Sequence, residues 1–92
     1  MINKVQFEGI NKGIVFENNQ MLKFKLENIG NSKKNKTALI TCFKEEYFNK
    51  IKENKEKTIL IDGEFYESNY QDKKTGNWIN TYCINMSKLT IK

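Results

Sequence analysis

The sequence predicts an all-β protein: a five-stranded barrel with one short helix between the third and fourth strands. Three observations predict it. Apolar residues alternate with polar ones at a period of two along most of the chain, as in strands with one buried face. The period changes once, near residue 45, to a helical spacing. Proline is absent, so a chain this rich in strands has no proline to blunt an exposed edge, and closing the sheet removes the edges.

The elements follow in order. Val5, Phe7 and Gly9 alternate with Lys4, Gln6 and Glu8, and this strand can continue through Gly13 into Ile14-Val15-Phe16. Glu17 to Gln20 forms a turn, because Asn18 and Asn19 tolerate positive φ. Leu22, Phe24 and Leu26 then face one way and Lys23, Lys25 and Glu27 the other, with Ile29 closing the strand. Gly30 to Lys36 is a polar, basic loop. Thr37 to Phe43 is β-branched and apolar, with Ala38, Ile40 and Cys42 on one side. From Lys44 to Asn54 the apolar residues Tyr47, Phe48 and Ile51 stand at i, i+1, i+4, with Glu45 and Glu46 in the first turn, which predicts a helix. Thr58 to Tyr70 is a long strand in which the interior Gly63 marks a bulge or bend. Asp72 to Asn77 is a hairpin tip, and Trp78 to Ile91 is the last strand. Neither a repeat nor a linker is visible, so residues 1–92 are expected to form one domain. The order is that expected of an OB-fold, a partly open Greek-key barrel; an unrelated small α+β sheet protein has the same element count.

Alternation predicts a core of Val5, Phe7, Leu22, Phe24, Leu26, Ile40, Ile59, Ile61, Phe65 and Ile84. Tyr47, Phe48 and Ile51 should plug the barrel. Cys42 and Cys83 have apolar neighbours and no metal-ligand spacing, so they are expected to be buried free thiols. The chain has neither a membrane-length apolar run nor a signal-peptide core, and a cytoplasmic location is expected. Two glycosylation-like triplets, at Asn35 and Asn85, carry no weight without a secretion signal.

Charge and inventory restrict the function. Sixteen cations against 11 acidic residues give +5, and every cation is lysine. Such a chain attracts polyanions. Without histidine it lacks the commonest general base and metal ligand. No phosphate-cradling glycine loop and no paired carboxylates are present, so neither enzymatic activity nor a cofactor is expected. Without arginine it lacks the bidentate fork that reads guanine edges in duplex DNA. Thirteen asparagines beside the lysines also fit an AT-rich coding sequence.

Specific residues resemble a known family. Asn3-Lys4-Val5-Gln6-Phe7-Glu8-Gly9 resembles the opening strand of bacterial single-stranded-DNA-binding proteins, and Ile61-Asp62-Gly63-Glu64-Phe65 is similar to their fourth strand. Tyr70, seven residues after Gly63, matches a base-stacking tryptophan or tyrosine of that family, and Phe43 matches a stacking phenylalanine. The resemblance spans essentially the whole chain. Thr37 stands where many members have a stacking tryptophan, and Trp78, without a counterpart there, is a candidate substitute. The chain stops at Lys92, without the glycine-rich, acidic-tipped tail through which the family recruits replication partners, so tail-mediated binding is not expected. These departures suggest a phage, mobile-element or specialised relative.

The resemblance implies sequence-independent binding of single-stranded DNA in replication, recombination or DNA transfer, by a dimer or tetramer built partly through the first strand. Tyr70, Trp78, Phe43 and Tyr66 are the candidate stacking residues. Lys23, Lys25, Lys73, Lys74, Lys33, Lys34 and Lys36 are the candidate phosphate contacts, because a phosphate needs only a point charge. The helical lysines Lys50, Lys52, Lys55 and Lys57 alternate with glutamates and read as a solvated face. An OB-fold protein-interaction module of the primosome or helicase-loading kind, or an RNA-binding OB domain, is the alternative.

Overall fold

A computed structural model describes residues 3–29 and 36–92, with the side chains of residues 68–70 and 79–82 outside the description. Five strands form a closed barrel in the order β1-β2-β3-β5-β4. They are β1 (Val5–Glu17), β2 (Leu22–Asn28), β3 (Lys36–Cys42), β4 (Thr58–Gln71) and β5 (Trp78–Ile91). All neighbouring pairs are antiparallel except β3–β5, a parallel contact of three residue pairs from Ile40↔Ile84 to Cys42↔Met86. This is the OB-fold, and the strand limits lie within one or two residues of those read from the alternation.

The period-two pattern produces the barrel because it buries one face of every strand. Leu22, Phe24, Leu26, Ile40, Ile51, Ile59 and Ile61 are fully buried, with Phe48, Ile84 and Met86 nearly so and Val5 and Phe7 packed against them. Fully burying each such side chain contributes about 1.5–3 kcal/mol. The expected single helix is divided. Glu45–Tyr47 is one 3₁₀ turn, closed by Tyr47 N–H donating to the Lys44 carbonyl at 3.0 Å, and α1 is Phe48–Glu53. Phe48 and Ile51 plug the barrel end. The buried Asn11 of β1 ties α1 in place: its Nδ2 donates to the Ile51 carbonyl at 2.8 Å and its Oδ1 accepts from Gly13 N–H at 2.9 Å.

Gly63 sits at an irregularity, as expected, but the extra residue is on the partner strand. Asp62 pairs with Lys88 and Gly63 with Met86, so Ser87 is skipped, and its hydroxyl donates to the Asp62 carbonyl at 3.0 Å. A Cβ on Gly63 would lie 2.2 Å from the Asn85 carbonyl oxygen, so only glycine allows β4 and β5 to approach this closely.

Phe65 corrects the predicted core: it is 52% exposed. Its parity is right, since its ladder partner Ile84 is buried. The covering strand is what ends, because the β1–β4 ladder stops at Val5↔Gly63. Beyond it Asn3 supplies a substitute rung, its Nδ2 donating to the Phe65 carbonyl at 2.9 Å and its Oδ1 accepting from Phe65 N–H at 3.1 Å. Cys42 and Cys83 are both buried and free. Cys42 belongs to the barrel interior, while Cys83, next to the inward Ile84, lies on the opposite face of the sheet, so the two thiols do not meet. Among the described residues no helix is long and apolar enough to cross a membrane.

Candidate nucleic-acid interface

Because Leu22, Phe24 and Leu26 are buried, Lys23, Lys25 and Glu27 must stand on the outer face of β2, and the same argument puts Leu39 and Thr41 outside on β3. Directly opposite residues share a face. One rung can therefore be followed around the barrel: Phe16 of β1 opposite Lys23, Lys23 opposite Thr41, Thr41 opposite Asn85, and Asn85 opposite Glu64. Lys25 occupies the next outward position, opposite Leu39. Lys23 is half-buried and Lys25 exposed.

Thr41 is an outward residue with no exposed surface, and Tyr66 explains this. The Tyr66 hydroxyl lies 2.9 Å from Thr41 Oγ1. Tyr66 is on β4 and Thr41 on β3, with β5 between them, so the phenol ring reaches across β5 above Cys83, its own ladder partner. Burial is the main cause that raises the phenol above its ordinary pKa of 10.0; the Thr41 hydrogen bond opposes it and Cys83 adds to it. The ring is thus neutral, half-buried and fixed at both ends.

The other sequence-derived residues distribute as follows. Phe43, one residue past β3, is 54% exposed. Trp78 is 70% exposed at the first position of β5. Tyr70 pairs with Ile79 in the ladder, and its side chain lies outside the described residues. Lys36 is exposed at the start of β3, whereas Lys33 and Lys34 fall outside the described residues. Lys73 and Lys74 are exposed on the hairpin tip. That turn is shaped by Asp72, whose carboxylate accepts from Lys74 N–H at 2.9 Å and whose carbonyl accepts from Gly76 N–H at 2.8 Å, with Gly76 at φ +74°. Among the helical lysines, Lys52 pairs with Glu17.

Phe16 was not among the residues singled out from the sequence, yet it is 47% exposed beside Lys23. The ladder shifts register between Ile14 and Phe16, and simple alternation does not carry through such a shift. Its proximity to the Glu17–Gln20 turn was the available signal. The assembled face has exposed or half-exposed rings at Phe16, Tyr66 and Phe43 around Lys23 and Lys25. It can therefore offer flat apolar surfaces and positive charge together.

The chain resembles solved single-stranded-DNA-binding proteins throughout its length. The mitochondrial single-stranded DNA binding protein of S. cerevisiae superposes with a TM-score of 0.76 at 14% identity, over 99% of this chain and 96% of that one. A small single-stranded DNA binding protein from Mycoplasma pneumoniae gives 0.70 at 18% identity, over 98% and 93%. A Plasmodium falciparum single-stranded-DNA-binding protein, solved in complex with single-stranded DNA, gives 0.74 at 16% identity, over 100% and 96%. No protein-family model and no curated protein sequence matches. At these identities the likeness establishes the fold.

Proposed function

We propose that this chain binds single-stranded DNA without sequence preference across the outer face of β2, β3 and β5. The observation that carries this reading is the rung from Phe16 through Lys23 to Thr41, with the Tyr66 ring anchored on Thr41. It alternates aromatic, cation and aromatic, the combination that holds single strands by stacking and charge. Each base stacked on Tyr66, Phe16, Phe43 or Tyr70 contributes about 1–3 kcal/mol. The anchored Tyr66 loses little freedom when a base arrives, so more of its contact energy appears as affinity. Lys23, Lys25, Lys36, Lys73 and Lys74 neutralise phosphates, and the loop lysines Lys33 and Lys34 join them. The OB-fold likeness to proteins that bind single-stranded DNA supports the same reading.

Self-association extends it. Among the described residues, Val5–Phe7 pair with β4 alone, because the β1–β2 ladder begins at Ile10 and β2 reaches beyond it only through the Asn28 side chain, which donates to the Glu8 carbonyl at 2.8 Å. That open edge suits a second copy of β1, giving a homodimer that links two binding faces and raises affinity through effective concentration. The proposed setting is cytoplasmic DNA replication, recombination or transfer, with no catalytic step.

The test is anisotropy of labelled oligo-dT, oligo-U and duplex DNA at two salt concentrations. The expected result is tight, salt-sensitive binding of oligo-dT and weaker binding of duplex. Preference for oligo-U would move the reading to RNA. Micromolar protein that binds no single strand at low salt would contradict it and favour a protein-interaction module.

A further inference from the structure

The β4–β5 hairpin continues beyond the point where β1 leaves it. The β1–β4 ladder ends at Val5↔Gly63, whereas β4 and β5 stay paired to Gln71↔Trp78. No register shift interrupts the ladder after Gly63, so successive rungs lie on alternate faces of this projecting ribbon. The Tyr66↔Cys83 rung belongs to the outer face, where the Tyr66 hydroxyl meets Thr41. The Phe65↔Ile84 rung belongs to the reverse face, rooted in the core through Ile84. Gln71↔Trp78 is six residues further along β4, an even number, so Trp78 shares the reverse face with Phe65.

These two rings are among the most exposed large apolar side chains described, Phe65 at 52% and Trp78 at 70%. Six residues of strand separate their rungs by about 20 Å. Cations stand at both ends. Lys73 and Lys74 are on the tip beside Trp78, and the exposed Lys4 follows Asn3, whose side chain holds the Phe65 backbone. Glu67 lies on a rung of the same face between them, which disfavours phosphates there and leaves the aromatic rings as the contacts.

We propose that the hairpin holds single-stranded DNA on both faces. One segment crosses the outer face over Tyr66, and the strand then rounds the Lys73–Lys74 tip to stack a second segment on Trp78 and Phe65. This rests on the single-strand reading and adds to it a path and a second binding segment. Charge favours a nucleic-acid strand over a second copy of the chain, because the tip and Lys4 would carry like charges into a symmetric contact.

Trp78 is the only tryptophan, so its emission reports the reverse face alone. The experiment is a length series of labelled oligo-dT followed in parallel by anisotropy and by tryptophan fluorescence. Short oligomers should bind with the emission unchanged, and quenching should begin above a threshold length. Trp78→Ala and Phe65→Ala should each weaken binding of long oligomers by roughly 5- to 150-fold per lost stack and leave short ones unaffected. Both residues are exposed, so the variants should fold like the parent. Binding at every length without quenching overturns the proposal while the single-strand reading stands. Full quenching by the shortest oligomers that bind also overturns it, by placing Trp78 in the first segment. Dissociation of a DNA-free oligomer by either substitution, seen in sedimentation, overturns it in favour of a subunit contact. Binding of no oligomer at all removes the underlying reading and this proposal with it.

Discussion

The Tyr66 hydroxyl and the Thr41 hydroxyl share a hydrogen bond of 2.9 Å that spans β5. Thr41 is fully buried beneath it, so the bond both satisfies a hidden polar group and sets the position of an aromatic ring on the proposed DNA face. Tyr66→Phe should therefore separate the two roles. The orphaned Thr41 hydroxyl should cost about 1–3 kcal/mol in urea unfolding. Oligo-dT affinity should fall only slightly, because the ring remains, whereas Tyr66→Ala should lose about 1–3 kcal/mol of binding. Combining Tyr66→Phe with Thr41→Val should cost less than the sum of the single changes.

The same burial gives a pH dependence. It raises the Tyr66 phenol above 10.0 and the Cys42 thiol above 9.0. In both cases the folded state favours the protonated form. The stability this contributes is complete below the unfolded pKa values and is lost as pH rises through the folded ones. Urea midpoints should therefore show no loss from these groups up to about pH 9 and decline above it. In Tyr66→Phe the part of the decline that begins near pH 10 should be missing.

Gly63→Ala should be among the most destabilising single-carbon changes in the chain. Its Cβ meets backbone, the Asn85 carbonyl oxygen at 2.2 Å, and no side chain can swing away to relieve it. Overpacking of this kind costs about 1–3 kcal/mol or more. The hairpin that carries Tyr66 and Trp78 begins at this point, so the displacement should weaken oligo-dT binding as well as lower the urea midpoint.

Much of the fold was legible because its physics is local. Alternation at Leu22–Leu26 and Ile59–Ile61 specifies which face is buried, and the spacing of Phe48 and Ile51 specifies the plug. Phe65 shows the boundary of that logic. Alternation assigns it correctly to the inward face, but whether anything covers that face depends on where β1 begins, a long-range fact. Phe16 was missed for a related reason, since a register shift in β1 hides its place beside Lys23. Tyr66 could be read as an outward ring, but its partner Thr41 lies two strands away, and nothing in residues 58–71 specifies that neighbour. Trp78 was legible as an exposed aromatic near a basic tip; only the ladder shows that it shares the Phe65 face.

Lys23→Gln and Lys25→Gln test the electrostatic half of the site. Each should reduce the slope of log affinity against log salt for oligo-dT by about 0.7. Lys52→Gln, which removes a partner of Glu17 next to the barrel plug, should leave the slope unchanged. Anisotropy titrations at four or five salt concentrations provide the comparison.

The proposed path of the DNA strand crosses the outer face of β2, β3 and β5, beside the Tyr66–Thr41 bond. Its most direct test is a titration of isotope-labelled protein with oligo-dT, followed by backbone amide shifts. Lys23, Lys25, Thr41, Tyr66 and Asn85 should move, while Lys50, Lys52 and Lys55 on and just after α1 should stay still. Shifts concentrated on α1, with the Lys23–Thr41–Asn85 rung unmoved, would contradict it.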